Sequence, residues 1–172
     1  KDIEVMNLNG FDAKNKFVYF QGILPNSIDL QSFQTELATG KTIQLSQGPG
    51  LHNTKQSFDG KYIFESTSSF GLNQTYSVMD TKSKKTTKLF TASEPLDNYN
   101  IGATKLDTLY ANDGTKLFSR TIFPVDFDPN KKYPAIIYVY GGPHAQMIRN
   151  TRLAQAQLWM YTLANEGFIV YT

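Results

Sequence analysis

The first hundred residues alternate short apolar and β-branched runs with polar turns, a pattern that predicts antiparallel β-structure. The run 17–20, Phe-Val-Tyr-Phe, has the aromatic and β-branched composition of a strand. Glycine, proline, asparagine or aspartate follows each such run at a short interval and marks a turn. No long helical period is present before residue 100. The pattern predicts strands over 16–22, 32–38, 61–67 and 75–80.

Three segments recur farther along the chain at a nearly constant spacing of 43–45 residues. A period of about 40–45 residues with several strands in each unit is typical of β-propeller blades. An ordinary antiparallel meander with chance similarity is the alternative. We predict a partial β-propeller of about two blades. The matching pairs are 17–22 with 62–67, 32–37 with 75–80, and 41–46 with 86–91.

The pattern changes near residue 100. The turn Asn112-Asp113-Gly114-Thr115 separates the extended runs 104–111 and 116–124, which predicts a β-hairpin. The run 135–139 is continuously apolar, as in a strand that is buried on both faces of a parallel sheet.

A helix is predicted over 151–165, because apolar residues recur there at intervals of three, four or seven. Asn150 or Thr151 is the candidate N-cap, and Gly167 suits the left-handed position that follows a helix. Another buried strand begins at Phe168. Strand, helix and strand form a βαβ unit at the C-terminus. The apolar stripe comprises Leu153, Ala156, Met160, Leu163 and Ala164.

Composition excludes several classes of protein. The chain has no cysteine, which rules out disulfides and thiolate metal sites. The balance of 17 basic and 15 acidic residues gives a net charge of +2, so we expect no nucleic-acid partner. No run of 18 apolar residues is present, so we expect no membrane segment in this chain. Asp126 and Asp128 suggest a metal or acid–base pair, but a solvated loop is the better interpretation because no third ligand lies nearby. We expect no metal and no cofactor.

Candidate chemistry lies where the strand over 135–139 ends. Open α/β sheets bind ligands beyond the carboxyl ends of their strands. Tyr140 places a phenolic donor there, and Gly141 and Gly142 let the backbone approach a ligand. An acyl-transfer enzyme would have an oxyanion donor at this position. A packed tyrosine at the end of a strand is the alternative.

The segment 132–146 (Lys-Tyr-Pro-Ala-Ile-Ile-Tyr-Val-Tyr-Gly-Gly-Pro-His-Ala-Gln) closely resembles the prolyl oligopeptidase family of serine peptidases. The resemblance is strongest to the dipeptidyl peptidase IV-like branch. It covers the whole chain, since blades, a hairpin, this strand and a helix follow one another in the same order. The fold class is therefore expected to be mainly β with a βαβ unit at the C-terminus. Blades over 1–97 would precede the N-terminal part of an α/β-hydrolase domain over 98–172.

The resemblance implies a function. Members of this branch pair an eight-bladed propeller with the hydrolase domain and release Xaa-Pro or Xaa-Ala dipeptides from peptide N-termini. Tyr140 matches the tyrosine that donates its hydroxyl to the oxyanion. The implied partners are a peptide substrate with Pro or Ala in second position, the remainder of the parent chain, and a second copy in a homodimer. We expect a periplasmic or secreted location, although the chain itself carries no targeting segment.

The catalytic triad of an α/β-hydrolase is absent from this sequence. The nucleophile of that fold occupies Gly-Xaa-Ser-Xaa-Gly and is followed by Asp and then His, and no such motif is present. His52 lies in a blade, and His144 follows the strand too soon to be the triad histidine. We therefore expect all three residues to lie beyond Thr172 and the 172-residue chain to be inactive alone. The alternatives are a non-catalytic peptide-binding member of the same architecture and a stand-alone β-rich structural domain.

Overall fold

A computed structural model describes residues 2–12, 14–142 and 145–172. The chain divides into two compact units. The first comprises 1–93 together with 150–152, and the second comprises 94–149 and 153–172. The predicted domain assignment over 1–97 and 98–172 stays a prediction.

The first unit contains two four-stranded sheets, each antiparallel and each in simple chain order. The four predicted strands are confirmed, and the repeat corresponds to the two sheets. Their hairpin order is that of propeller blades. The first sheet comprises β1 (Glu4–Phe11), β2 (Phe17–Ile23), β3 (Gln31–Glu36) and β4 (Thr42–Gln44). The second comprises β5 (Leu51–Gln56), β6 (Tyr62–Ser69), β7 (Leu72–Asp80) and β8 (Thr86–Thr91).

The two sheets share an apolar core. Tyr19 of β2 is buried together with Ile63 of β6 and Met79 of β7, and Phe17 and Leu45 pack against them. The side chains that join the two sheets thus all lie in the segments that recur along the chain.

The described residues of the second unit form a four-stranded sheet of β9 (Thr104–Tyr110), β10 (Lys116–Ile122), β11 (Ala135–Ile137) and β12 (Ile169–Tyr171), preceded by a 3₁₀ turn at Pro95–Asn98. The strand order is β11-β12-β10-β9, and the helix α1 (Leu158–Asn165) packs on this sheet. Strands β9 and β10 form the predicted hairpin, with Lys116 opposite Tyr110. Strands β11 and β12 are parallel with the helix between them, so the predicted βαβ unit and the predicted fold class are confirmed.

The helix is shorter than predicted. It begins at Leu158, and its N-cap is Gln157 rather than Asn150 or Thr151. Ala154 and Gln155 adopt left-handed backbone conformations, with φ of 51° and 62°, which an α-helix cannot contain. The predicted stripe still reaches the core, because residues of this turn pack beside the helix on the same apolar cluster. Gly167 follows the helix at φ 92°, as predicted.

A buried arginine holds this turn. Arg120 on β10 is 1% exposed, and its Nη1 donates to the carbonyl oxygen of Ala154 at 2.6 Å. Its Nη2 donates to the hydroxyl of Thr172 at 2.9 Å. Burial lowers the pKa of the Arg120 guanidinium, and electrostatic interactions with Tyr161 and Tyr138 raise it by a smaller amount. In this turn, a charge-assisted hydrogen bond from Arg120 of the sheet to the carbonyl of Ala154 takes the place of a helical hydrogen bond.

Strand β11 differs from the prediction of burial on both faces. Ala135 is exposed, and Ile137 and Val139 are 70% and 71% exposed. The strand lies at one end of the described sheet and pairs with β12 alone, so its other edge and one face meet no described neighbour.

Candidate active site

Tyr140 lies three residues beyond the last residue of β11. Pairing with β12 extends one residue past the strand, because the N–H of Tyr138 donates to the carbonyl of Tyr171 at 2.8 Å. The Tyr138 ring packs on the core and meets Trp159 edge-on at 5.4 Å. Tyr140, two residues further, is 57% exposed. The sequence therefore positions one tyrosine in the core and the next at the carboxyl end of the strand.

The Tyr140 ring lies over Gly142. A Cβ built on Gly142 would meet Cε1 of this ring at 3.3 Å and its hydroxyl oxygen at 3.7 Å. Within the described part of the chain, the hydroxyl makes no hydrogen bond. A phenol that is exposed and uncommitted at a strand end is able to donate to a ligand oxygen. The role of Tyr140 as an oxyanion donor stays a prediction, and His144 of the same turn lies outside the described residues.

The chain beyond this turn makes contacts that the sequence analysis missed. Asn150, one of the two candidate N-caps, caps no helix. Instead, its Nδ2 donates to Oδ1 of Asp29 at 2.7 Å, and its Oδ1 accepts from the N–H of Phe70 at 2.8 Å. The sequence showed only that Asn150 precedes an apolar helical pattern, which suggested a bond to the backbone at the start of a helix rather than the bonds to Asp29 and Phe70.

His52 is part of a buried polar network in the second blade-like sheet. It is 2% exposed, and its Nδ1 lies 2.9 Å from a carboxylate oxygen of Glu65. Its Nε2 lies 3.2 Å from the carbonyl of Gly48, and the other oxygen of Glu65 accepts from Ser77. A cavity of about 280 Å³ adjoins these residues. Because each ring nitrogen already has a partner, the network accounts for the histidine without a ligand.

The two aspartates that suggested a metal site lie in a structured turn. Oδ1 of Asp128 accepts from the N–H and side-chain amide of Asn130. The Tyr133 hydroxyl accepts from the N–H of Asp128 at 2.8 Å. Among the described residues, no group of three or more histidine, aspartate or glutamate side chains is placed to hold a metal ion. Within those same ranges, no helix has the length and apolar character required to cross a bilayer.

Comparisons with known proteins agree on one kind of relative. No family model matches the chain. Mouse dipeptidyl peptidase 8 is 25% identical over 170 residues, which is 92% of this chain and 19% of the relative. A Bacteroides ovatus crystal structure, assigned as a dipeptidyl aminopeptidase IV, is 31% identical with a TM-score of 0.88. That match covers 100% of this chain and 25% of the other.

A second solved structure supports the fold. Porphyromonas gingivalis dipeptidyl peptidase 4 matches with a TM-score of 0.79 at 24% identity, over 99% of this chain and 24% of its own. The chain thus spans about a fifth to a quarter of the length of these relatives. The resemblance inferred from the sequence is confirmed, because the chain is similar over nearly its whole length to the dipeptidyl peptidase IV-like branch of the prolyl oligopeptidase family.

Proposed function

We propose that this chain is a segment of a serine exopeptidase that releases Xaa-Pro or Xaa-Ala dipeptides from the N-termini of peptides. Its similarity to dipeptidyl peptidases over more than nine-tenths of its length supports the proposal. The observation that carries it is Tyr140, an exposed residue at a strand end whose hydroxyl has no hydrogen-bond partner among the described residues. A periplasmic or secreted location and assembly as a homodimer belong to the same proposal.

Tyr140 would act on the charge that develops during acyl transfer. Attack by a serine on the scissile carbonyl converts its oxygen to an oxyanion, which accepts a stronger hydrogen bond than the ground-state carbonyl does. A donor fixed at this position therefore stabilises the transition state more than it stabilises bound substrate. The nucleophile and its histidine and aspartate would come from residues outside this sequence.

The 172-residue chain should be inactive by itself. A donor without a nucleophile cannot form an acyl-enzyme. We expect no hydrolysis of Gly-Pro or Ala-Pro chromogenic substrates, and no change in intact mass after treatment with a serine-directed phosphonofluoridate. Stoichiometric labelling of any serine in this chain would contradict the missing triad.

The substitution Tyr140→Phe tests the assigned role in the full-length protein that carries this segment. Loss of one oxyanion donor lowers kcat by roughly 10²–10³, while KM should change little. Tyr110→Phe is the matched control, because it removes the same atom from a tyrosine that is 71% exposed at the end of β9. Steady-state kinetics on a Gly-Pro substrate separate the two variants. A kcat for Tyr140→Phe equal to that of Tyr110→Phe would refute the assignment.

A further inference from the structure

Lys84 lies in the turn between β7 and β8 of the second blade-like sheet, and its side chain contacts the first. Its Nζ donates to Oε1 of Gln34, a buried residue of β3, and lies 5.7 Å from the ring centroid of Tyr19 on β2. The Lys84 backbone is left-handed, with a φ of 59°, and its N–H donates to the carbonyl of Asp80 at 2.8 Å. The turn thus fixes the base of a side chain whose ammonium group contacts the other sheet of the same unit.

Both contacts of this ammonium group are with uncharged groups. An amide oxygen and an aromatic ring stabilise a cation less than a carboxylate does. Within the part of the chain that the structure describes, Lys84 forms no ion pair. The carboxylate of Asp80, in the same turn, accepts instead from the N–H groups of Lys82 and Ser83.

The environment of Lys84 favours its nucleophilic form. Burial lowers the pKa of the Lys84 ammonium, and the charge of Asp80 raises it by a smaller amount. A larger share of Lys84 is therefore the neutral amine, which is the form that attacks electrophiles. The residue as a whole is exposed, so a small molecule can reach it.

A cavity of about 340 Å³ adjoins the Lys84 side chain. Two apolar side chains of the first sheet, Phe17 on β2 and Ile43 on β4, form part of its wall. The charged groups that line it are Lys84 itself, Lys41 and Glu36, and Glu36 accepts from the Thr39 hydroxyl at 2.6 Å. This volume is within the range of sites that bind small organic molecules.

An amine beside an apolar wall fits an aldehyde. The lone pair of Nζ adds to the carbonyl carbon, a C=N bond forms, and the two protons of the nitrogen leave with the carbonyl oxygen as water. The condensation needs no oxidant or reductant. Apolar walls favour the imine because they exclude the water that would hydrolyse it and because they bury the alkyl chain.

We propose that Lys84 is a covalent attachment site for a small apolar aldehyde, which condenses with the Lys84 amine and places its alkyl chain in the adjoining cavity. The attached group would contact both blade-like sheets, because Lys84 follows β7 whereas Phe17 and Ile43 belong to the first sheet. The proposal requires neither Tyr140 nor peptidase activity, so it is tested independently of the proposed function.

Site-resolved labelling of the full-length protein that carries this segment tests the nucleophile. The protein is treated at neutral pH with butanal and with sodium cyanoborohydride, which traps the imine, and each alkylated lysine is localised and quantified by peptide mass spectrometry. Lys84 should be alkylated at least about fivefold faster than Lys82 and Lys85. These are matched controls, since both are exposed residues of the same turn. Equal rates at the three lysines would overturn the proposal.

The size of the aldehyde tests the cavity. Formaldehyde condenses with the same amine but has no alkyl chain to bury. The preference for Lys84 over Lys82 should be at least about threefold larger with butanal than with formaldehyde, because burial of the chain stabilises only the butanal adduct. The same preference with both aldehydes would show a reactive lysine without a binding cavity and would overturn the proposal.

Two variants connect the reactivity to the observed contacts. Gln34→Glu places a carboxylate beside the ammonium, which stabilises the charged form and should lower alkylation of Lys84 at least about threefold. Gln74→Glu makes the same change at an exposed residue of β7 and should resemble wild type. Ile43→Ala, at a residue that is 41% exposed, should lower alkylation by butanal and leave that by formaldehyde unchanged. Because Gln34 is buried, Ile43→Ala decides the matter if Gln34→Glu does not fold, and wild-type labelling by butanal in Ile43→Ala would contradict the proposed cavity.

Discussion

Replacing Gly102 with alanine is expected to disrupt the open end of the β9–β10 hairpin. Gly102 is buried, and a Cβ built on it would lie 1.7 Å from the carbonyl oxygen of Phe123 and 2.9 Å from its carbon. Both atoms are backbone, so no side-chain rotation can relieve the clash. Next to this contact, the N–H of Phe123 donates to the carbonyl of Ala103 at 2.9 Å.

The cost follows from how far the backbone must move. A Cβ and an oxygen normally stay about 3 Å or more apart, so the two segments must separate by more than 1 Å. That displacement breaks the bond from Phe123 to Ala103, which costs about 1 kcal/mol. Overpacking a buried site adds about 1–3 kcal/mol. We expect a total near 2–4 kcal/mol, which lowers the melting temperature by roughly 4–16 °C in a protein of this size.

Gly141→Ala is the matched control. Nothing lies within 4 Å of a Cβ built there, and its φ is not in the left-handed range. Alanine there should leave stability unchanged or raise it slightly, because it restricts the unfolded chain. Trp159 is the chain's only tryptophan and lies on α1, so thermal unfolding followed by its fluorescence reports the second unit. Melting temperatures for the two variants within 1 °C of each other would refute the steric argument.

Two further predictions concern stability. Asp12 accepts three backbone N–H groups of the β1–β2 turn. Burial is the largest single influence and raises the pKa of this carboxyl, but the three bonds together outweigh burial and hold the pKa below its usual value. The contribution of Asp12 to the free energy of unfolding is therefore fully present above the usual aspartate pKa, and it is lost as pH falls through the lowered pKa of the folded state. Asp12→Asn should therefore reduce the pH dependence of the unfolding free energy in this acidic range. Ile122→Ala removes three carbons from a side chain that is 0% exposed, and it should lower the free energy of urea unfolding by about 2–5 kcal/mol. Ile137→Ala is the control at a residue that is 70% exposed, and it should lower this free energy by less than about 1 kcal/mol. Equal losses for the two variants would contradict the burial of Ile122.

The strands were predictable because their signals are local. The run Phe17-Val18-Tyr19-Phe20 at the start of β2 is aromatic and β-branched, and this composition favours a strand and is visible in the sequence. The turn at Gly114 is equally local, since its φ of 83° favours glycine. The pairing of β11 with β12 followed from the apolar runs flanking one helical segment. In each case, neighbouring residues specify the structure without distant contacts.

The start of the helix could not be predicted because a distant residue determines it. The spacing of Leu153 and Ala156 suits a helix, yet Ala154 is held in a left-handed conformation with its carbonyl bonded to Arg120. Those two residues are 34 positions apart in the sequence. Arginine is rarely buried, so the sequence of the hairpin does not indicate that Arg120 is only 1% exposed. Apolar spacing predicts which residues reach the core, but a polar contact decides the backbone path by which they do so.

The misassignment of Asn150 shows why residue type alone does not identify a contact. An N-cap needs only a side-chain oxygen that accepts from a backbone N–H, and serine, threonine or aspartate would serve equally. The observed pair of bonds, to Asp29 and from the N–H of Phe70, also needs a donor, because the carboxylate of Asp29 is an acceptor. Asparagine meets both demands with one amide, which explains its presence at a position where no helix begins. Substitution of Asn150 by serine or aspartate would therefore distinguish the two roles, since either residue would preserve a cap and neither would preserve both of the observed bonds.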